Sequence, residues 1–364
     1  MYIGLMSGTS LDAIDVIAVA FSPALRIAGT LEHPFPDRLR HQLEALIEHA
    51  DHVSLSDVGR LDRELANTYA DAVSALLSET GIRPDEVAAI GCHGQTVWHQ
   101  PDDDAGFTMQ LGNGAALAAL TGIPVVNDFR NADIALGGQG APLVPAFHQA
   151  VFADPTINRV IVNIGGIANV TLMPAAGQVT GYDTGPGNTL LDRWCAQHLG
   201  KPYDDDGTWA ASGETDDALL ETLLTDNYFA MDPPKSTGRE YFNQEWLQRY
   251  LNSVDEERQP ADVQATLAEL TAVTVSRAVQ NSAADSEVYL CGGGARNADL
   301  LQRLSRHLAP LPVATTGTLG IEPDWVEAAA FAWLARARLH SEPGNIPSVT
   351  GASRPAVLGA LHAP

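Results

Sequence analysis

Lysine is nearly absent from this chain: Lys201 and Lys235 are the only two in 364 residues. With arginine the basic total reaches 21 against 45 acidic side chains, a formal charge of −24. Such a balance repels nucleic-acid phosphates and anionic membrane surfaces, so neither is an expected partner. Any nucleotide here must be held by main-chain N–H groups, arginine and a divalent cation. Cysteine is also scarce. Cys92, Cys195 and Cys291 stand far apart with no Cys-x-x-Cys pair. That spacing argues against a disulfide framework or a structural zinc and reads as small buried apolar residues in a reducing compartment. No apolar run reaches bilayer length, because Gly, Pro or charge interrupts each candidate. Met1 leads directly into an apolar stretch with no basic segment before it, so the expectation is no signal peptide and a cytoplasmic location. What remains is an ordinary globular composition, 45% apolar, long enough for two domains.

Hydrophobic periodicity predicts a hairpin of residues 2–5 and 14–21 around a polar loop at 6–12. Helices follow over 38–50 and 58–80, the second with Ser56 and Asp57 as N-cap candidates and a stop before Gly81. Strands are expected at 87–92, 107–111 and 123–127, with a helix over 114–120 between the last two. The Gly-rich stretch 137–140 is a candidate domain crossing. The pattern then restarts: strand 159–164, the turn Gly165-Gly166, and a returning strand 168–173, a weak internal duplication of the N-terminal hairpin. Further on come a strand at 179–183, a helix from 189, a polar loop over 201–217, a helix at 264–278, a strand at 287–290 and a helix at 297–307. The last helix is expected over 325–339 and a short strand over 356–361. Asp102-Asp103-Asp104 and Asp204-Asp205-Asp206 read as solvated surface charge. Strands alternating with helices give an α/β protein with a mixed sheet in each half.

Four Gly-bearing loops each follow a predicted strand: Gly8-Thr9-Ser10, Asn163-Ile164-Gly165-Gly166, Asp183-Thr184-Gly185-Pro186-Gly187-Asn188 and Gly292-Gly293-Gly294. Glycine at a strand end lets the backbone approach a ligand and turn N–H groups toward phosphate. One such loop is weak evidence; four in two halves are hard to explain as turns. There is no G-x-x-x-x-G-K-[ST] and no G-x-G-x-x-G opening a helix after the first strand, which excludes a P-loop and counts against a dinucleotide fold.

Met6-Ser7-Gly8-Thr9-Ser10-Leu11-Asp12-Ala13-Ile14-Asp15 resembles the signature of the anhydro-N-acetylmuramic acid kinases. His93-Gly94-Gln95-Thr96, Val162 to Asn169, Asp183 to Asn188 and Cys291 to Asn297 are similar to that family in the same order. Ala13 departs from it, standing where the family usually has Gly. The resemblance covers nearly the whole chain. It implies two ribonuclease-H-like domains with mixed sheets flanking a nucleotide cleft, with a first domain of residues 1–128 plus about 340–364 and a second of 129–339. It also implies ATP and Mg²⁺, an amino-sugar substrate, and a homodimer. The implied reaction is hydrolytic opening of the 1,6-anhydro ring with phosphorylation of O6.

On that resemblance Asp183 is the general base; read alone, it could instead cap the following helix. Gly8, Thr9, Ser10, Leu11, Asp12, Ala13, Ile14 and Asp15 would wrap the phosphates, together with Asn163, Gly165, Gly166, Gly292, Gly293 and Gly294. Asp12 could hold Mg²⁺ through water or simply cap a turn. His93, Gln95 and Thr96 are sugar-contact candidates, with a structural histidine as the alternative. The spacing of His93 and His99 does not match H-E-x-x-H, so no metal pair is expected there. Arg130 suits the lactyl carboxylate of a muramic acid but could equally form an interdomain ion pair. Glu327 resembles a sugar-facing residue of the family, though a lone Glu on a helix is often just solvated.

Overall fold

A computed structural model describes residues 1–8, 11, 13–48, 53–101, 105–252, 258–280, 282 and 285–364. The chain divides into two compact units, Met1–Val151 with Trp325–Pro364, and Phe152–Asp324. The first opens with the antiparallel strands β1 (Tyr2–Ser7), β2 (Ala13–Ala20) and β3 (Arg26–Pro34). Helices α1 (Asp37–Glu48) and α2 (Leu55–Thr80) follow. The N-cap of α2 is Ser54, whose hydroxyl accepts the Asp57 N–H at 3.1 Å, not Ser56 or Asp57 as expected. Gly81, at φ 70°, ends this helix in the left-handed region. Next come β4 (Ala89–Cys92), the hairpin β5 (Gln95–Gln100) and β6 (Phe107–Leu111), α3 (Gly114–Thr121), β7 (Val125–Asn127), α4 (Asn131–Ile134) and α5 (Val144–Phe152). Asp102, Asp103 and Asp104 lie outside the described residues.

The second unit builds β8 (Arg159–Ile164), β9 (Ile167–Met173) and β10 (Thr180–Pro186) as an antiparallel meander. Helix α6 (Asn188–Leu199) leads into a helical segment the sequence reading left as loop or unassigned: α7 (Thr208–Ser212), α8 (Asp217–Leu223), α9 (Asn227–Ala230) and α10 (Gln244–Leu251). The acidic run at its start is not simply solvated charge. Asp204 accepts the N–H groups of Trp209 and Ala210, each at 2.9 Å, and Asp206 accepts that of Ala298 at 3.1 Å. Short carboxylates before a helix supply what its unpaired N–H groups need. The long α11 (Pro260–Gln280), β11 (Glu287–Cys291), α12 (Ala298–Leu308) and β12 (Val313–Thr315) complete the unit.

The chain then returns to the first unit with α13 (Val326–Leu339), α14 (Pro347–Thr350) and β13 (Ala360–His362). The two main sheets repeat one order: β7-β4-β1-β2-β3, extended by β13, and β12-β11-β8-β9-β10. In each, three antiparallel strands continue into two parallel ones. This repetition is topological; the residues barely match. The domain boundaries differ from those expected, because residues 129–151 and 325–339 belong to the first unit. The reason is packing. Helix α13 buries Ala328, Ala329, Phe331, Ala332 and Ala335 against β1 and β4. A methyl group on Gly4 would stand 1.8 Å from the Ala328 carbonyl oxygen, and one on Gly91 1.9 Å from that of Phe331.

Two glycine substitutions should therefore move stability in opposite directions. Gly4→Ala must push α13 off its sheet and should cost about 3 kcal/mol, the upper range for overpacking. Gly59→Ala lies on exposed α2 with no atom within 4 Å and should add roughly 0.5–1 kcal/mol through helix propensity. Thermal melts of the two variants beside the parent check both signs.

Candidate functional site

In the first unit, β1 ends at Ser7, where the first glycine loop begins. Ser7 Oγ lies 2.8 Å from the Tyr69 hydroxyl and donates to the Gly94 carbonyl at 3.3 Å, so the loop's entry is tied to the turn after β4. Leu11 sits at φ 56° with its side chain in the core, and its N–H reaches Gly8 O at 3.3 Å. A left-handed leucine costs about 1–2 kcal/mol, so burial of its side chain must hold it there. Ala13, Ile14 and Asp15 already belong to β2 and pair with β3. Thr9, Ser10 and Asp12, which lie between Ser7 and β2, are outside the described residues.

The sugar-contact candidates His93, Arg130 and Glu327 come together in this unit. Arg130 donates from Nε and Nη2 to His93 Nε2 at 3.2 and 2.8 Å, and from Nη1 to Gly140 O at 2.7 Å. His93 Nε2 is thus an acceptor, which leaves the ring neutral with its proton on Nδ1. Burial, and then the Arg130 charge, push the His93 pKa well below its usual value. Burial brings Arg130 down to about 10, with the charges of Glu327 and Asp133 opposing. The His93 ring packs on Phe331 at 4.6 Å between centroids, one helical turn after Glu327. Asp133, fully buried, accepts from Gly140 N–H at 2.8 Å, Asn345 Nδ2 at 2.6 Å and Thr350 Oγ at 2.8 Å, fixing the loop that carries the Gly140 carbonyl. Gln95 is fully buried, and Thr96 accepts from Gln110 Nε2 at 3.2 Å on the β5–β6 hairpin. His99 bonds Thr108 through Nδ1 at 3.0 Å instead of pairing with His93. Among the described residues no group of three His, Cys, Asp or Glu could hold a metal, and all three cysteines are buried.

In the second unit the remaining glycine loops converge. The carbonyl of Gly165 accepts the Asn188 N–H at 2.9 Å, while Gly166 O accepts those of Gly187 and Thr189 at 2.9 and 3.0 Å. The turn after β8 thereby caps α6, whose N-cap Gly187 has no side chain to do it. Gly292, at φ 78°, runs so close to β8 that a methyl group on it would stand 2.3 Å from Asn163 Oδ1. That oxygen is buried and has no hydrogen-bond partner among the described residues. Around Gly165 and Gly293 there is room: a methyl group would meet nothing nearer than 3.5 and 4.0 Å respectively.

Asp183 lies on β10 opposite Asn169, just before a register shift at Gly185. It does not cap α6. Its carboxylate Oδ2 accepts the Thr237 N–H at 3.0 Å, its own N–H reaches Lys235 O at 3.2 Å, and its carbonyl accepts the Tyr228 hydroxyl at 2.7 Å. Tyr228 is set in turn by Asp226, whose oxygens accept from Tyr228 N–H, Tyr241 OH, Trp246 Nε1 and Tyr250 OH at 2.7–2.9 Å. Burial opposes ionisation of Asp226, but those four donors outweigh it and hold its pKa below the usual range. Among the described residues the Asp183 carboxylate has one donor. Burial raises its pKa to about 7, with the Thr237 N–H opposing and the Glu240 charge adding to the rise. None of Tyr228, Thr237, Arg239 and Glu240 was singled out from the sequence. The polar, Gly-bearing run Lys235-Ser236-Thr237-Gly238-Arg239-Glu240 was the available signal.

A sheet built twice, glycine turns at strand ends and a carboxyl with a raised pKa are the features of a two-unit α/β enzyme. The model of the family described as anhydro-N-acetylmuramic acid kinase matches residues 1–364. Proteins of that name are similar over nearly their whole length: 53% identity in Nitrosospira multiformis, over 99% of this chain and 98% of that one. In Saccharophagus degradans identity is 50%, over 100% and 99%, and in Coxiella burnetii 50%, over 99% and 97%. The chain belongs to the anhydro-N-acetylmuramic acid kinase family.

The Asp183 pKa fixes a sign for stability. Between about pH 4, where an unfolded aspartate ionises, and pH 7, the folded state keeps a proton that the unfolded chain has released. Stability from this group is complete below about pH 4 and falls as pH rises through 7. Asp183→Asn should melt higher than the parent at pH 8, with the gap closing toward pH 4. A gap that stays constant across that range would contradict the assignment.

Proposed function

We propose that this protein opens 1,6-anhydro-N-acetylmuramic acid with water while moving the γ-phosphoryl group of ATP onto O6. The products are N-acetylmuramic acid 6-phosphate and ADP, in the recycling of cell-wall sugar. The observation that carries the mechanism is the Asp183 carboxyl, half-buried, held at three points of its residue, and raised to about 7. A base whose pKa lies near working pH combines a usable ionised fraction with strong proton affinity.

In the proposed step the Asp183 carboxylate takes one proton from a water whose oxygen bonds to the anomeric carbon. The C1–O6 bond breaks, and O6 takes its new bond from phosphorus as ADP departs. The proton held by Asp183 then returns to solvent. Phosphoryl transfer needs positioning and charge neutralisation more than covalent help. Support for a phosphate site comes from the turns around Gly165 and Gly293, where even a methyl group would fit without a close contact, and from the Asn163 oxygen beside Gly292, which has no partner among the described residues. Gly8 to Asp15 would serve the phosphates as well, and Asp12 is the proposed holder of Mg²⁺ through water. His93, Arg130 and Glu327, with Gln95 and Thr96 nearby, are the proposed sugar contacts; Arg130 keeps N–H groups beyond those bonded to His93 and Gly140 for a carboxylate. The shared strand order of the two sheets supports a ribonuclease-H-like reading of each half. No helix among the described residues is long and apolar enough to cross a membrane. Cytoplasmic location and a homodimer are part of the proposal on family grounds alone.

Incubation with Mg-ATP and the anhydro sugar should yield the 6-phosphate sugar by mass. Asp183→Asn should bind both substrates and lose turnover by about 10²–10⁴-fold, the usual contribution of a general base. The parent's turnover should rise with pH on a limb with midpoint near 7. Near-parental turnover in the variant would remove Asp183 from the mechanism.

A further inference from the structure

The loop that fixes the proposed base also carries an arginine onto a glycine turn. Thr237 gives its N–H to the Asp183 carboxylate at 3.0 Å. Two residues later the Arg239 guanidinium lies across Gly166: a methyl group there would stand 3.2 Å from both Nε and Nη2. The same methyl group would stand 2.8 Å from Thr189 Oγ. Any larger residue would have to shift the Thr189 hydroxyl or the guanidinium. Thr189 is 3% exposed, and its hydroxyl has no hydrogen-bond partner among the described residues. At Gly165, one position earlier, a methyl group would meet only Ile167 O, at an ordinary contact distance of 3.5 Å. Three features that suit an anion therefore meet at one turn: a planar cation, an unpartnered buried hydroxyl and a half-buried glycine main chain. The lysine nearest in sequence does not compete for that role, since Lys235 Nζ donates to Tyr228 O at 3.0 Å and lies over the Tyr228 ring.

Resting on the kinase reading above, we infer that Arg239, with Thr189 and the Gly165-Gly166 turn, binds the phosphoryl group while it is in transfer. The charge that builds on the equatorial phosphoryl oxygens is what a forked guanidinium meets best. In this arrangement one short loop, Thr237–Glu240, serves both halves of the reaction: Thr237 aims the carboxylate that takes the water's proton, and Arg239 neutralises the group that O6 acquires. In a chain with two lysines, arginine takes the place a lysine often fills.

The chemistry Arg239 recognises is an oxyanion, and the lactyl carboxylate of the sugar is the competing source. The test compares Arg239→Ala and Arg239→Lys in the full chain. Arg239→Ala should lower kcat by about 10³-fold or more, the scale of a transition-state arginine. Its affinities for the anhydro sugar alone and for ADP alone should stay within about threefold of the parent. The extra thermal stabilisation that fluoroaluminate confers on the ADP complex should disappear. Arg239→Lys keeps the charge but not the fork and should recover no more than about a tenth of the lost rate; it carries the test if the alanine variant does not fold. A fall in sugar affinity matching the fall in kcat would assign Arg239 to the carboxylate and overturn the inference. So would a kcat within tenfold of the parent. If the parent itself failed to phosphorylate the anhydro sugar, the kinase reading would fall. The fluoroaluminate comparison would then still decide whether Arg239 meets a transferring phosphoryl group.

Discussion

A carboxyl group partly withdrawn from water, with one N–H donor among the described residues, is the constraint around which the second unit is arranged. Left to burial alone, Asp183 would be an unhelpful acid of uncertain orientation. Its residue is instead held through its N–H by Lys235 O, through its carbonyl by the Tyr228 hydroxyl and through Oδ2 by Thr237. Each of those partners belongs to the stretch between α8 and α10, and that stretch depends on Asp226. One buried aspartate thus takes four donors and stays ionised so that another can take one donor and hold a proton near neutrality. The contrast between the two aspartates follows the hydrogen bonds each carboxylate receives, four donors at Asp226 and one at Asp183.

The first unit uses the same economy of charge differently. Arg130 keeps its charge while partly out of water because Glu327 and Asp133 lie near it, and it holds His93 neutral by donating to Nε2. Asp133 is bonded on both oxygens and ties the 138–140 loop to Asn345 and Thr350, so the short C-terminal elements help to place Arg130. Helix α13 then brings Glu327 and Phe331 to this group from near the other end of the sequence, pressed onto β1 and β4 through Gly4 and Gly91.

Much of this was legible in the sequence. Strand ends followed by glycine and β-branched runs located β1, β2, β8 and β9, and Asp183 stood out because a family signature surrounded it. The strand Arg26–Pro34 was missed because Gly29, Glu32 and His33 break its apolar pattern on a half-buried sheet edge. The helices from 208 to 251 were missed because each is short and their apolar residues face an aromatic cluster built from several segments, which no single period reveals. The acidic run at 204–206 looked like solvated charge; which of its carboxylates cap helices depends on where α7 and α12 come to lie. The boundary at 128 was misplaced for the same reason. Nothing local says that the last helix packs on the first strand. The approach of Arg239 to Gly166 was invisible as well, since the two stand more than seventy positions apart in the chain.

The claim on which the account turns is that the Asp183 carboxyl titrates near neutrality in the folded protein. Carbon-13 labelling of aspartate carboxyl groups, with the Asp183 resonance assigned by its absence from the asparagine variant, measures this directly across a pH titration. The account predicts a midpoint near 7. A midpoint near 4, that of an ordinary solvated aspartate, would contradict it.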